Sequence, residues 1–121
     1  MPIAYLSHIR YISFMRWTVE TLEIVDSEIE ALPPGLQARL IRLMEAVENV
    51  GLEQLREPHV KHLEGKLWEL RAKASEGIAR GIYVTVTGRR VVILHVFVKK
   101  SQKTPKAALE IARARMKEVK P

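Results

Sequence analysis

The run RRVVILHVFVKK at residues 89–100 is the densest β-branched stretch of the chain, and it limits the fold more than any other segment. Valine and isoleucine lose side-chain freedom in a helix and pack well on a pleated surface, so the run predicts a central strand. Thr87-Gly88 reverses the chain just ahead of it, and GIARGIYVTV (77–86) supplies a neighbouring strand. KLWELRAK (66–73) reads as a further strand, with a loop around Glu57-Pro58 before it. WTVETLEIV (17–25) reads as a first strand with Trp17, Val19, Leu22 and Ile24 inward.

Helical spacing occupies the gaps. Asp26 or Ser27 is expected to cap a short helix through Leu32, which Pro33-Pro34-Gly35 ends. LQARLIRLMEAVENVG then places apolar residues at 36, 40, 41, 44 and 47, a one-faced helix stopping at Asn49 to Gly51. Thr104 followed by Pro105 reads as an N-cap and first helical position, opening a closing helix over KAALEIARARMKEV. These elements predict an α+β domain: a twisted, mainly antiparallel sheet of about four strands, helices on one face and a closing C-terminal helix. The other face is expected to stay open.

One domain over residues 17–121 accommodates the pattern, with 1–16 as an N-terminal extension. The absence of cysteine excludes disulfides, thiolate chemistry and cysteine-ligated zinc. MPIAYLSHIRYISFMRW is apolar, but arginines and a histidine interrupt it, so neither a membrane span nor a secretory signal is expected. The expected location is cytoplasmic, with no membrane partner.

Charge is polarised. Residues 1–51 carry four Lys/Arg against seven Asp/Glu, whereas 52–121 carry sixteen against seven, within a net charge of +6. Such a field attracts a polyanion or an acidic protein, or serves only to solvate one face. The cations concentrate in PHVKHLEGKLWELR (58–71) and HVFVKKSQKTPK (95–106), both tied to strands rather than to a free tail.

Strand alternation puts Glu69, Arg71, Arg80 and Lys100 on one face, with Lys99 replacing Lys100 if a bulge shifts the parity. Two readings of Arg80 stand side by side: a structural pair with Glu69, or a guanidinium clamp for phosphate. Cleavage of RNA requires that the ribose 2′-hydroxyl lose a proton and that charge on phosphorus be neutralised. Glu69 is the candidate base, with Arg71, Arg80 and the strand-end lysine as electrostatic stabilisers. His59 and His62 have turn-like spacing but too few companions for a metal site. Both read first as loop residues, then as acid/base groups or RNA contacts. His95, Trp68 and Tyr83 read as packed residues.

LPPGLQARLIRLMEAVENVG, PHVKHLEGKLWELR, IARGIYV, GRRVVILHVFVKKSQKTPK and IARARMKE together resemble the HigB-like, phage-derived branch of the RelE/ParE toxin superfamily, over about residues 17–118. The resemblance implies the toxin of a type II toxin–antitoxin pair, a ribosome-dependent mRNA endonuclease needing neither metal nor organic cofactor. It implies an antitoxin partner of helix-turn-helix type, through which alone operator DNA would be met. Arg80, Arg71, Glu69 and Lys100 take the catalytic roles, and Lys66, Lys99, Lys103, Lys106 and His62 the RNA contacts. Leu67 and Glu69 stand where RelE has paired lysines, and RelE's terminal tyrosine has no counterpart in KKSQKTPKAAL. A ParE-like action on DNA gyrase and a non-catalytic antitoxin-binding module are the alternatives.

Overall fold

The computed structural model describes residues 16–101 and 103–120; the expected extension, residues 1–16, lies outside this range apart from Arg16. The elements follow the order β1 (Thr18–Thr21), α1 (Glu23–Glu30), α2 (Pro34–Val50), a short 3-10 turn (Leu52–Gln54), β2 (Val60–Glu64), β3 (Leu67–Ala74), β4 (Gly77–Val86), β5 (Arg90–Lys99) and α3 (Lys106–Met116). The strands form one sheet of five in the order β1-β5-β4-β3-β2. Only β1 runs parallel to its neighbour; the other pairs are antiparallel.

The α+β expectation is met, with one strand more than the sequence suggested. The first strand is shorter than expected, because Leu22 to Val25 turn into α1. Asp26 caps nothing there: its carboxylate sits in the first helical turn and accepts the Thr21 hydroxyl at 2.6 Å. Two cores result, one on each face of the sheet. Val25 and Ile29 of α1 and Leu36, Leu40 and Val47 of α2 pack on Leu70, Ala72, Ala79, Tyr83, Val91, Ile93 and Val96. Ala108 and Ala112 of α3 pack on Leu67, Ile82, Val84, Val92 and Leu94 of the opposite face. The face expected to stay open is therefore partly roofed by the closing helix. Small residues at 108 and 112 let that helix lie close to the strands.

Ion pairs hold α3 in place at both flanks. Arg113 makes two 2.7 Å bonds to Glu64 at the end of β2, and Arg115 donates to Glu28 of α1 at 2.8 Å.

A β-bulge sets the register of the central pair. Ile82 opposes His95 while Tyr83 opposes Ile93, so Leu94 is an extra residue on β5. The parity of β5 changes there: Val92 and Leu94 join the α3 core, but Val96 joins the α1–α2 core. Because β1 pairs only with Arg90 to Ile93, the rest of β5 has no strand beside it on that side among the described residues. Glu28 of α1 accepts the Val96 N–H at 2.9 Å, and Glu48 of α2 accepts the Val19 N–H at 2.8 Å. Side-chain carboxylates thus satisfy backbone donors that a further strand would otherwise take.

Candidate functional site

Residues directly opposite one another in neighbouring strands share a face. Three cross-strand rows therefore stack on the α3 face: Glu69, Ile82 and His95; Arg71, Arg80 and Phe97; Lys73, Ile78 and Lys99. The expected grouping of Glu69, Arg71 and Arg80 is present. The strand-end lysine of this face is Lys99. Lys100 falls on the other side, where its Cγ lies 3.7 Å from the position a Cβ on Gly77 would take.

Glu69 and Arg80 are interior, each with no exposed side-chain surface. One Glu69 oxygen accepts from Arg71 Nε at 2.5 Å and Arg80 Nη1 at 3.4 Å; the other accepts the Thr104 hydroxyl at 2.9 Å. Arg80 Nη2 also donates to the Ser101 carbonyl. Thr104, read in the sequence as a helix cap, turns inward to this carboxylate instead, and Pro105 takes the cap position of α3. Burial draws the Arg80 guanidinium below its usual value; the Glu69 charge opposes that shift and the Arg71 charge adds to it.

The pairing of Arg80 with Glu69 across adjacent strands is the structural member of the two readings offered by the sequence. In this arrangement the carboxylate acts as an acceptor hub that fixes two guanidinium groups. Arg71 is the member nearest solvent, with a side chain 10% exposed. It lines a cleft of about 160 Å³ with Pro58, His59, Lys73 and Ile78. This cleft offers an anion two cationic side chains, an imidazole and an apolar floor.

The other sequence-predicted contacts divide. Lys99 lies one strand from the cleft, in the row of Lys73. Lys103 and Lys106 are exposed in the β5–α3 connection and at the start of α3. Lys66 is at the opposite end of the sheet, in the β2–β3 turn, lining a separate hollow with Val84, Met116 and Lys117. His62 opposes Trp68 on the α1–α2 face, with its Nε2 2.9 Å from the Gly65 carbonyl oxygen. The structure thus does not bring Lys66 or His62 to the Arg71 cleft. Lys73 is a further cation of the cleft, and its sequence signal is that it follows Glu69 and Arg71 at the same period of two.

His95 is hydrogen-bonded, as expected of a packed residue: its Nδ1 lies 3.0 Å from Glu28 Oε2 and 3.3 Å from Arg115 Nη1. Among the described residues no group of three His, Asp or Glu side chains is arranged to hold a metal ion. None of the described helices is long and apolar enough to cross a membrane.

Residues 27–117 match the family of phage-derived Gp49-like proteins (DUF891). The chain therefore belongs to that family, which is of the RelE/HigB-like toxin type. No curated protein matches it.

Proposed function

We propose that the chain is the toxin of a two-component toxin–antitoxin pair and cuts mRNA on the ribosome. The observation that carries this reading is the cationic cleft of Arg71, Lys73 and His59, built on the buried Glu69–Arg80 hub. Guanidinium and ammonium groups held on a sheet suit a phosphodiester, because phosphate gains most from donors already fixed in place. In this reading Arg71 and Lys73 hold the scissile phosphate, and Lys99 and Lys103 follow the backbone away from it. His59 takes the proton from the 2′-hydroxyl, whose oxygen attacks phosphorus to form a 2′,3′-cyclic phosphate as the bond to the 5′-oxygen breaks, and the departing 5′-oxygen takes its proton from solvent. Glu69 and Arg80 act as positioning residues that hold Arg71 in line. The expected partner is an antitoxin, of helix-turn-helix type, with an acidic segment that neutralises the cleft.

Mapping of RNA 5′ ends in a translating extract tests the reading. Cuts inside translated regions that disappear with Arg71→Ala are the expected result. Intact message during growth arrest would sink it, and loss of supercoiling in a gyrase assay would point to that enzyme instead.

A second reading, a non-catalytic module that only binds its antitoxin, draws support from the complete burial of Glu69 and Arg80. It predicts harmless expression together with tight antitoxin binding.

A further inference from the structure

On the face away from the Arg71 cleft, a second hollow of about 340 Å³ lies between β2–β4, the 3-10 turn and the start of β1. Both tryptophans of the chain line it, together with Tyr83, Leu55, Val60 and Glu53. We infer that this hollow is a nucleobase-binding site that takes a purine between Trp17 and Trp68.

Each indole is braced. Trp17 donates its ring N–H to Glu53 at 2.8 Å, and the Arg89 guanidinium, itself 2.6 Å from Glu53, lies 5.4 Å from the Trp17 ring centre. Trp68 rests on the His62 ring at 4.8 Å, and His62 is tied in turn to the Gly65 carbonyl. Rings already braced by their neighbours lose little freedom when a base stacks on them. Trp68 is 38% exposed, so part of its ring is open to a ligand.

Tyr83 stands directly opposite Trp68 in the next strand and is only 1% exposed. Its hydroxyl has no hydrogen-bond partner among the described residues and is not one of their buried unsatisfied polar atoms, so it keeps contact with solvent at the hollow. Burial raises its pKa, so it stays protonated and able to donate to a ring nitrogen or carbonyl oxygen. A purely apolar ligand would leave this group unsatisfied; a purine would not. Arg89, partly exposed beside Trp17, is already paired with Glu53 at 2.6 Å, so recognition rests on the base and not on the phosphate. The hollow falls within the size range of small-ligand pockets, roughly 300–1,000 Å³.

Because both tryptophans line this hollow, tryptophan fluorescence of the full chain, excited beyond the tyrosine band, reports on it. Titration with AMP and with a short single-stranded oligoadenylate should give saturable quenching, whereas ribose 5-phosphate, which lacks the base, should give none. Trp68→Leu should weaken binding by about tenfold, within the range for one lost base stack. Tyr83→Phe should weaken it several-fold with an unchanged circular dichroism spectrum. Much tighter binding of the oligonucleotide than of AMP, still dependent on Trp68, identifies the source of the base as an RNA strand; equal binding identifies a free nucleotide. Absence of saturable quenching, or affinities indifferent to both substitutions, would overturn the inference. Neither result bears on cleavage at the opposite face, which the mapping of RNA ends reads separately.

Discussion

Glu69 and Arg80 meet 3.4 Å apart inside the sheet, on adjacent strands, and neither has any side-chain surface in contact with water. A pair in that position is held by its surroundings as much as by its own attraction. Removing Glu69 takes the carboxylate from a fully buried guanidinium, a larger penalty than the pair is worth when intact, whereas Glu69 without Arg80 keeps Arg71 and Thr104.

Glu69→Leu, which takes the carboxylate from the buried Arg80 guanidinium, is therefore expected to lower stability by about 3–5 kcal/mol, the range for an uncompensated buried charge. Joint replacement, Glu69→Leu with Arg80→Met, should lose much less. Urea unfolding of the two variants checks this. Equal losses would mean that the pair contributes through packing alone.

Thr104→Val removes the hydroxyl that satisfies the second Glu69 oxygen at 2.9 Å and nearly preserves shape. The expected loss is about 1–2 kcal/mol, as for a single bond to a buried charged acceptor. The same urea titration measures it.

Lys73→Ala and Lys99→Ala should leave the urea midpoint unchanged and weaken RNA binding. Each should reduce the slope of log affinity against log salt by about one unit, the signature of a lost phosphate contact. Fluorescence anisotropy at several salt concentrations gives the slope. Lys66→Ala, at the far end of the sheet, should leave it as it was.

Acid should loosen the flanks of α3 and β1 before the core. Hydrogen bonding to Arg113 holds Glu64 below the ordinary carboxylate range, and Arg90 does the same for Glu20. A carboxyl whose pKa is depressed by folding stabilises the protein above its unfolded value and ceases to do so as pH falls through its folded value. Stability should thus decline as the pH drops below the normal carboxylate range. Glu20→Gln with Glu64→Gln should flatten that decline, as read from urea midpoints between neutral and acid pH. Both pairs are exposed, so added salt should reduce the effect.

Period-two alternation made β3 and β4 legible, and with them the shared face of Glu69, Arg71 and Arg80. The same rule failed in β5 for a physical reason. Val91 through Val96 is apolar at nearly every position because both faces of that strand are buried, so the pattern carries no mark of where the parity changes. The bulge at Leu94 thus left Lys99 and Lys100 indistinguishable. β2 was missed because it is a short edge strand whose outward residues, Lys61 and His62, look like a loop after Glu57-Pro58. With it went the face of His62, and hence the hollow beside Trp68. Leu22 and Val25 fit a helix as well as a strand, and tertiary packing of the helix on β5 decided between them.

The carboxylates of Glu28 and Glu48 on the Val96 and Val19 amides have a consequence for assembly. A sheet propagates into a fibre only if each added strand leaves both outer edges competent to pair. Here two amides at one margin, those of Val19 on β1 and Val96 on β5, are already taken by the protein's own carboxylates, and β2 forms the other edge. Strand addition is therefore disfavoured on the β1 side, which leaves β2 as the edge that a foreign strand would extend.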